Sequence, residues 1–300
     1  MQHETAPTEY HSTEYDSVEY LEFPLLAGTG MVEHLFTTRT GGVSEGIFRS
    51  LNLNFNRGDD PGKVRVNYER VAEVLGCSVE DMVLSRQTHT TNIRLVTKAD
   101  RGKGILKPLD YTDVDGLITD IPGIVLVTSY ADCVPLYFVD PVHRAIGLAH
   151  SGWRGTAERM GACMVEAMGK YFGTRPEQLY AAIGSSICQD CYEVSGEVAQ
   201  VFMELFKGEE ALEQEIIKAG YRGGTQGCYT HVVEEGKEEG KYQLDLWLAN
   251  LMILRGAGIL PERIGVTDIC TCHNPDYLFS HRASQGKRGN LGAFLMIRND

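Results

Sequence analysis

Three hundred residues, of which 43% are hydrophobic and 23% charged, can bury the core of one large or two ordinary domains, and this argues against a disordered chain. The 28 Lys and Arg against 41 Asp and Glu leave a formal net charge of −13, which argues against nucleic acid or an anionic membrane as a partner. An anionic substrate must therefore be met by local arginines. No run reaches the ~18 apolar residues of a spanning helix, and no basic and apolar leader opens the chain, so the reading is cytoplasmic. Eight cysteines spread irregularly, among them Cys77, Cys163 and Cys228, read as reduced thiols.

Residues 1–20 carry acids, no Lys or Arg and few aliphatic side chains, and are expected to form a loose tail, leaving 21–300 as a single compact domain. Strand-like runs at 124–130, 134–140, 145–150, 180–186 and 264–270 alternate with helical patterns, predicting an α/β protein. One helix is predicted from Thr156 as cap, with apolar residues at Met160, Cys163, Met164, Ala167 and Tyr171, ending near Gly173. Two more follow Ser195 and Asp245. The stretch 233-VEEGKEEGK-241 reads as a solvated loop or hairpin tip.

Asp140-Pro141-Val142-His143-Arg144 is a turn between two strands, since Pro interrupts a β-ladder. Pairing residues whose numbers sum to about 285 brings Cys133 near His150, close enough for a thiolate and an imidazole to share an ion. His89, in 86-RQTH-89, is the best candidate third ligand. One thiolate and two imidazoles suit Zn²⁺, with Cu²⁺ as competitor and one position left for water. The same proximity also allows a nucleophilic Cys133 with His150 as its base. Cys188-x-x-Cys191 with Cys270-x-Cys272-His273 is a possible second zinc site, though its second half lacks a standard finger spacing.

The segments TTRTGGVS (37–44), LNLNFNRGDDPGKVRVN (51–67), RQTH (86–89), DVDGLIT (113–119), ADCVP (131–135), AHSGWRGT (149–156), IGSSICQDCYEV (183–194) and LFSHR (278–282) resemble, in order, the laccase-domain family. That family was first described as multicopper polyphenol oxidases and is now understood as purine nucleoside phosphorylases. The resemblance covers roughly 24–297. It implies a single-domain layered α/β sandwich of mixed sheets, with a central β-hairpin carrying metal ligands. It further implies that His89, Cys133 and His150 hold the metal, and that adenosine, inosine or 5'-methylthioadenosine is cleaved with phosphate, alongside adenosine deamination. Two departures fall on phosphate-handling positions: Asn67-Tyr68 stands where the family has Asn-Arg, and Gly289-Asn290 where it has Gly-Arg, with Arg65, Arg70 and Arg288 as nearby substitutes.

For deamination, a metal-bound water needs a proton acceptor, and Asp132 and Asp115 are the candidates. For phosphorolysis, arginines must fork onto phosphate. Arg39 lies before Gly41-Gly42, Arg154 before the expected helix start, and Arg282 in FSHR. Competing readings are a copper-dependent polyphenol oxidase, which needs many paired His ligands, and a hydrolase editing peptidoglycan precursors. Oligomeric state is left open.

Overall fold

A computed structural model of the chain describes residues 9–11, 18–221 and 231–299. Most of the expected loose tail lies outside the described residues. Within it Glu9–His11 form β1, paired antiparallel with β2 (Tyr20–Glu22), and Val18 is buried. Cys228 also lies outside the described residues. Among the described residues no helix is long and apolar enough to cross a membrane.

Two six-stranded mixed sheets dominate. The first runs β1, β2, β3 (Val32–Thr37), β15 (Leu291–Ile297), β7 (Val125–Tyr130) and β4 (Met82–Leu84). The second runs β14 (Ile264–Val266), β10 (Tyr180–Ile183), β8 (Val134–Asp140), β9 (Ala145–Ser151), β6 (Gly116–Thr119) and β5 (Ile93–Leu95). A small third sheet orders β11 (Glu193–Ser195), β13 (Lys241–Leu244) and β12 (Val233–Glu235), so the charged 236–240 stretch is a hairpin tip.

Three apolar clusters define four layers. Leu126, Leu295 and Phe36 of the first sheet meet Tyr137, Ile146 and Leu148 of the second. On its other face the first sheet packs Phe294, Met296 and Val127 against α2 (Pro61–Leu75) through Val64, Tyr68 and Val71. The outer face of the second sheet presents Leu136, Phe138 and Ala149 to α4 (Met160–Phe172) and α7 (Leu246–Gly256), with α5 (Gly196–Leu205) and α6 (Glu210–Lys218) beyond. Short α1 (Pro24–Ala27) and α3 (Trp153–Ala157) complete the set. The layered α/β sandwich is as expected.

Local signals account for most element ends. Asp245 caps α7 by accepting the Leu248 N–H at 2.9 Å, and Gly173 at φ 75° stops α4. Thr156 is not a cap, as the expectation had it. It sits inside α3, where its hydroxyl pairs with Ser151 and Asn250, and the long helix starts at Met160 after a left-handed Arg159.

Buried His34 accepts the Phe23 N–H at 2.9 Å, and burial pushes its pKa down to about 4. An unfolded histidine titrates near ~6.5, so between those values only the unfolded chain takes the proton, and stability falls as pH drops. The expected loss by pH ~4 is roughly 3 kcal/mol. Urea melts at neutral and acid pH should show it, with His34→Gln less pH-dependent than the parent.

Candidate metal centre and cleft

The β8–β9 hairpin has the expected register, with Asp140 opposite Ala145, Pro135 opposite His150 and Val134 opposite Ser151. Side chains alternate across a strand, so Cys133, one pleat beyond Pro135, emerges on the same face as His150. That face is the seam between the two large sheets, at the end of the sandwich. The third ligand arrives on the loop after β4, where His89 has φ 68°, a left-handed backbone that an L-residue keeps only when its surroundings impose it.

The imposing group is Asp115, fully buried just before β6. Its Oδ1 accepts His89 N–H at 3.1 Å and His150 Nδ1–H at 2.8 Å; its Oδ2 accepts Thr88 and Thr90 N–H at 3.0 and 3.1 Å and the Thr90 hydroxyl at 3.2 Å. One carboxylate thus shapes the His89 loop and sets the His150 tautomer, leaving Nε2 of His150 to face the cluster. Burial would raise the Asp115 pKa, but the bonds from His150 and the backbone amides hold it below the usual carboxylate range.

The ligand atoms of His89, Cys133 and His150 lie within 4.8 Å of one another, and Cys133 Sγ is 3.9 Å from His89 Nε2. The rings of His89 and His150 meet edge to face at 4.9 Å between centroids. A tetrahedral ion bound at ~2.0–2.3 Å spaces its ligand atoms ~3.3–3.8 Å apart, so this trio closes on a metal with small side-chain adjustments. Burial alone would raise the Cys133 pKa; the adjoining His150 and His89 outweigh it and bring the thiol down to about 6, while the same contact and Asp115 lift His150 to about 9. Without an ion the pair is thus a thiolate beside an imidazolium, and a metal would take the place of the His150 Nε2 proton to bind thiolate and neutral imidazole.

Gly152 closes the wall behind the trio. A Cβ there would stand 2.9 Å from His89 Cδ2 and 3.0 Å from Cys133 Sγ, although φ −75° and ψ 179° suit any residue. Gly152→Ala is therefore expected to displace ligands without straining its own backbone, weakening metal affinity about tenfold or more while changing the melting temperature of the metal-free protein little. Competition with a chelating dye reads the first, and thermal melts the second.

The trio lies on the wall of a cleft of about 810 Å³ that also includes Arg57, Gln87, Ser129, Arg288, Asn290 and Tyr68. Arg288 is 8% exposed, its Nη1 donates to Asn290 Oδ1 and Gly289 O, and its buried Nε has no partner among the described residues. Burial and neighbouring Arg57 press its pKa down to about 10. Arg288 Nη2 lies 3.5 Å from His281 Nδ1, and no carboxylate among the described residues pairs with it, so this guanidinium can receive an anion in the cleft. A smaller cleft on the other side of Cys133 is lined by His89, Asp132, Trp153, Arg154, Ile187 and Tyr192.

The remaining expected site residues fall elsewhere. Arg39 lines neither cleft: its guanidinium donates to the carbonyls of Arg49 and Pro275 and lies 4.5 Å over the Phe279 ring. Arg282 donates to the carbonyls of Cys191 and Glu193, leaving its fork spent on the backbone. Arg154 is on the smaller cleft, stacked 4.4 Å over Trp153, and lies within α3 rather than ahead of a helix. Asp132 accepts the Thr271 hydroxyl and the Arg282 N–H, both at 2.7 Å, so this carboxylate braces two loops. Of the substitutes considered, Arg288 reaches the cleft, whereas Arg65 and Arg70 donate to the carbonyls of Ile105 and Gly41. Tyr68 occupies its departure position as a packing residue, its hydroxyl on Leu53 O at 2.7 Å. Arg57, Gln87 and Ser129 also line the cleft without being marked as site residues by the sequence reading; the RGDD run after Asn56 is the sign for Arg57.

Residues 33–298 match the family model described as multi-copper polyphenol oxidoreductase laccase. The chain belongs to this family. Among laccase-family relatives, it is 34% identical over 264 residues to "Purine nucleoside phosphorylase YlmD" of Bacillus subtilis, covering 88% of this chain and 87% of that one. It is 30% identical over 253 residues to "Adenosine deaminase RL5" from an unknown prokaryotic organism, covering 84% of this chain and 88% of the relative. The crystal structure of YlmD from Geobacillus stearothermophilus superposes with a TM-score of 0.81 at 34% identity, covering 98% of this chain and 100% of that one.

Proposed function

We propose that this laccase-family protein is a zinc-dependent purine nucleoside phosphorylase, acting on adenosine, inosine and 5'-methylthioadenosine, that also deaminates adenosine, with one Zn²⁺ held in the cleft. The observation that carries the reading is the single cleft that holds both the His89, Cys133, His150 trio and the buried Arg288 beside Arg57. A phosphorylase needs an anion and a nucleoside side by side, and this cleft offers a cationic end and a metal-ligand end within one volume. The relatives' names support the same pairing of activities.

His89, Cys133 and His150 would hold the metal, which when bound would supply a Lewis acid and acidify water near neutral pH. The other contributions come from side chains. Arg288, with Arg57 nearby, would orient phosphate toward the ribose, and Asn290 steers Arg288 by accepting its Nη1 and donating to Ser129 Oγ. Asp115 acts as a positioning residue, because hydrogen bonds to its charged form oppose its taking a proton. Asp132, braced in the same manner, aligns the loop that follows it with Cys133.

Zinc fits this donor set, and copper competes for it. The polyphenol oxidase reading needs several coppers, whereas His89 and His150 are the histidines found in this cluster among the described residues. The deciding experiment incubates purified protein with adenosine and with inosine, each with and without phosphate, and identifies products by chromatography. Expected are phosphate-dependent release of adenine and hypoxanthine with ribose 1-phosphate, and phosphate-independent inosine from adenosine. No base release with phosphate would refute the phosphorylase reading.

A further inference from the structure

Away from the cleft trio, a second group of metal-binding side chains converges from two loops. Cys188 and Cys191 flank a 3₁₀ turn after β10, and Cys270 and His273 follow β14. Their ligand atoms all lie within 4.8 Å of one another, and Cys188 Sγ is 3.6 Å from His273 Nδ1. His273, not the Cys272 of the CxC spacing, completes the group.

The backbone is arranged for thiolates. Ser186 and Cys270 form a parallel bridge, the Thr271 N–H donates to Ser186 O at 3.0 Å, and the Cys188 N–H donates to Cys270 Sγ at 3.3 Å. An N–H aimed at sulfur stabilises its negative charge and is the kind of outer contact that tunes metal-bound cysteine. Cys188 and Cys270 are buried, so bare thiolates there need a cation, while the exposed His273 leaves an entry path.

We propose that Cys188, Cys191, Cys270 and His273 hold a structural Zn²⁺, distinct from the metal of the cleft. Three sulfurs and one nitrogen fill a tetrahedral shell with no open position, the arrangement of a structural rather than a catalytic zinc. Its consequence reaches the cleft through short links. Thr271, next to Cys270, donates to Asp132, and the Cys191 carbonyl accepts Arg282, whose own N–H donates to Asp132. Asp132 adjoins Cys133, so the ion ties two loops 82 residues apart in sequence to the strand end that carries the cleft thiolate.

This proposal does not depend on the phosphorylase reading. The test uses full-length chain carrying His89→Ala and Cys133→Ser, which dismantles the cleft site. Elemental analysis after gel filtration is expected to find about one zinc per chain, and X-ray absorption three sulfurs at ~2.3 Å and one nitrogen at ~2.0 Å. Adding His273→Ala, an exposed position, should lower zinc affinity tenfold or more in a chelator competition and remove the nitrogen from the spectrum. A folded double variant without zinc, a zinc shell of oxygen and nitrogen, or a Cys188 to Cys270 disulfide in unreduced peptide maps would each overturn it. If the double variant does not fold, zinc bound to wild-type chain decides the matter: two ions per chain, with sulfur outnumbering nitrogen in one of them, support it, and one ion or none refutes it.

Discussion

Asp115→Asn is expected to lower metal affinity 10- to 100-fold and to reduce both nucleoside activities in proportion at limiting metal. The amide is almost the same shape, so the effect is one of hydrogen-bond polarity. With its oxygen toward His150 Nδ1 and His89 N–H, the amide NH₂ meets the donors of Thr88 and Thr90, and the loop holding His89 in its left-handed conformation loses its anchor. With the amide reversed, the NH₂ faces His150, whose ring must then carry its proton on Nε2 and cannot bind metal there. Either orientation removes one imidazole. Donors left unsatisfied in a fully buried site should also destabilise the fold by ~3 kcal/mol. Calorimetric metal titration measures the first effect and urea melts the second. Unchanged metal affinity would show that Asp115 does not position the ligands.

Arg288→Met is expected to separate the two activities. Removing a buried guanidinium that grips an anion costs about 2–5 kcal/mol, so phosphorolysis should fall about 30-fold or more in kcat/KM, mainly through a higher KM for phosphate. Adenosine deamination, which uses no phosphate, should fall far less, and metal content should not change. The substitution removes a buried Nε without a partner but also leaves Gly289 O and Asn290 Oδ1 without their Nη1 donor, so stability should change by no more than ~1 kcal/mol. Product assays over a phosphate series, elemental analysis and thermal melts check these outcomes. A parallel loss of both reactions would place Arg288 in structure rather than in phosphate binding.

The hairpin was the most legible part of the chain. Asp140-Pro141 marks a turn, the pairing sum of 285 follows from it, and the meeting of Cys133 with His150 is then a matter of pleat parity. Of the first large sheet, the run at 124–130 is legible as a strand, and the rest is not. Its central strand, Leu291–Ile297, is buried on both faces, so LGAFLMI shows no alternation, and β4 is three residues long. Helix α2 carries Asp60 as cap and Gly76 as stop, signals masked by the weight given to RGDDPGKVRVN as a motif. Neighbouring glycines and helix starts point to arginines in a sequence, but they do not show whether a guanidinium lines the cleft or how much of its fork is already bonded. Arg39 and Arg282 are bonded in that way; Arg288 keeps a free Nε. That depends on contacts between residues more than 200 apart, as between Arg39 and Pro275. The partners of Asp115 are hidden for a related reason: DxDG shows a carboxylate at a strand start, while the three amides that bond to it lie 25 to 27 residues earlier.

The most direct test is anomalous diffraction at the zinc edge from crystals of the full chain grown with zinc and inosine. One peak should lie ~2.0–2.3 Å from His89 Nε2, Cys133 Sγ and His150 Nε2, with inosine in the same cleft. A cleft with no peak, or a peak that leaves any of these three atoms more than ~3 Å away, would contradict the assignment.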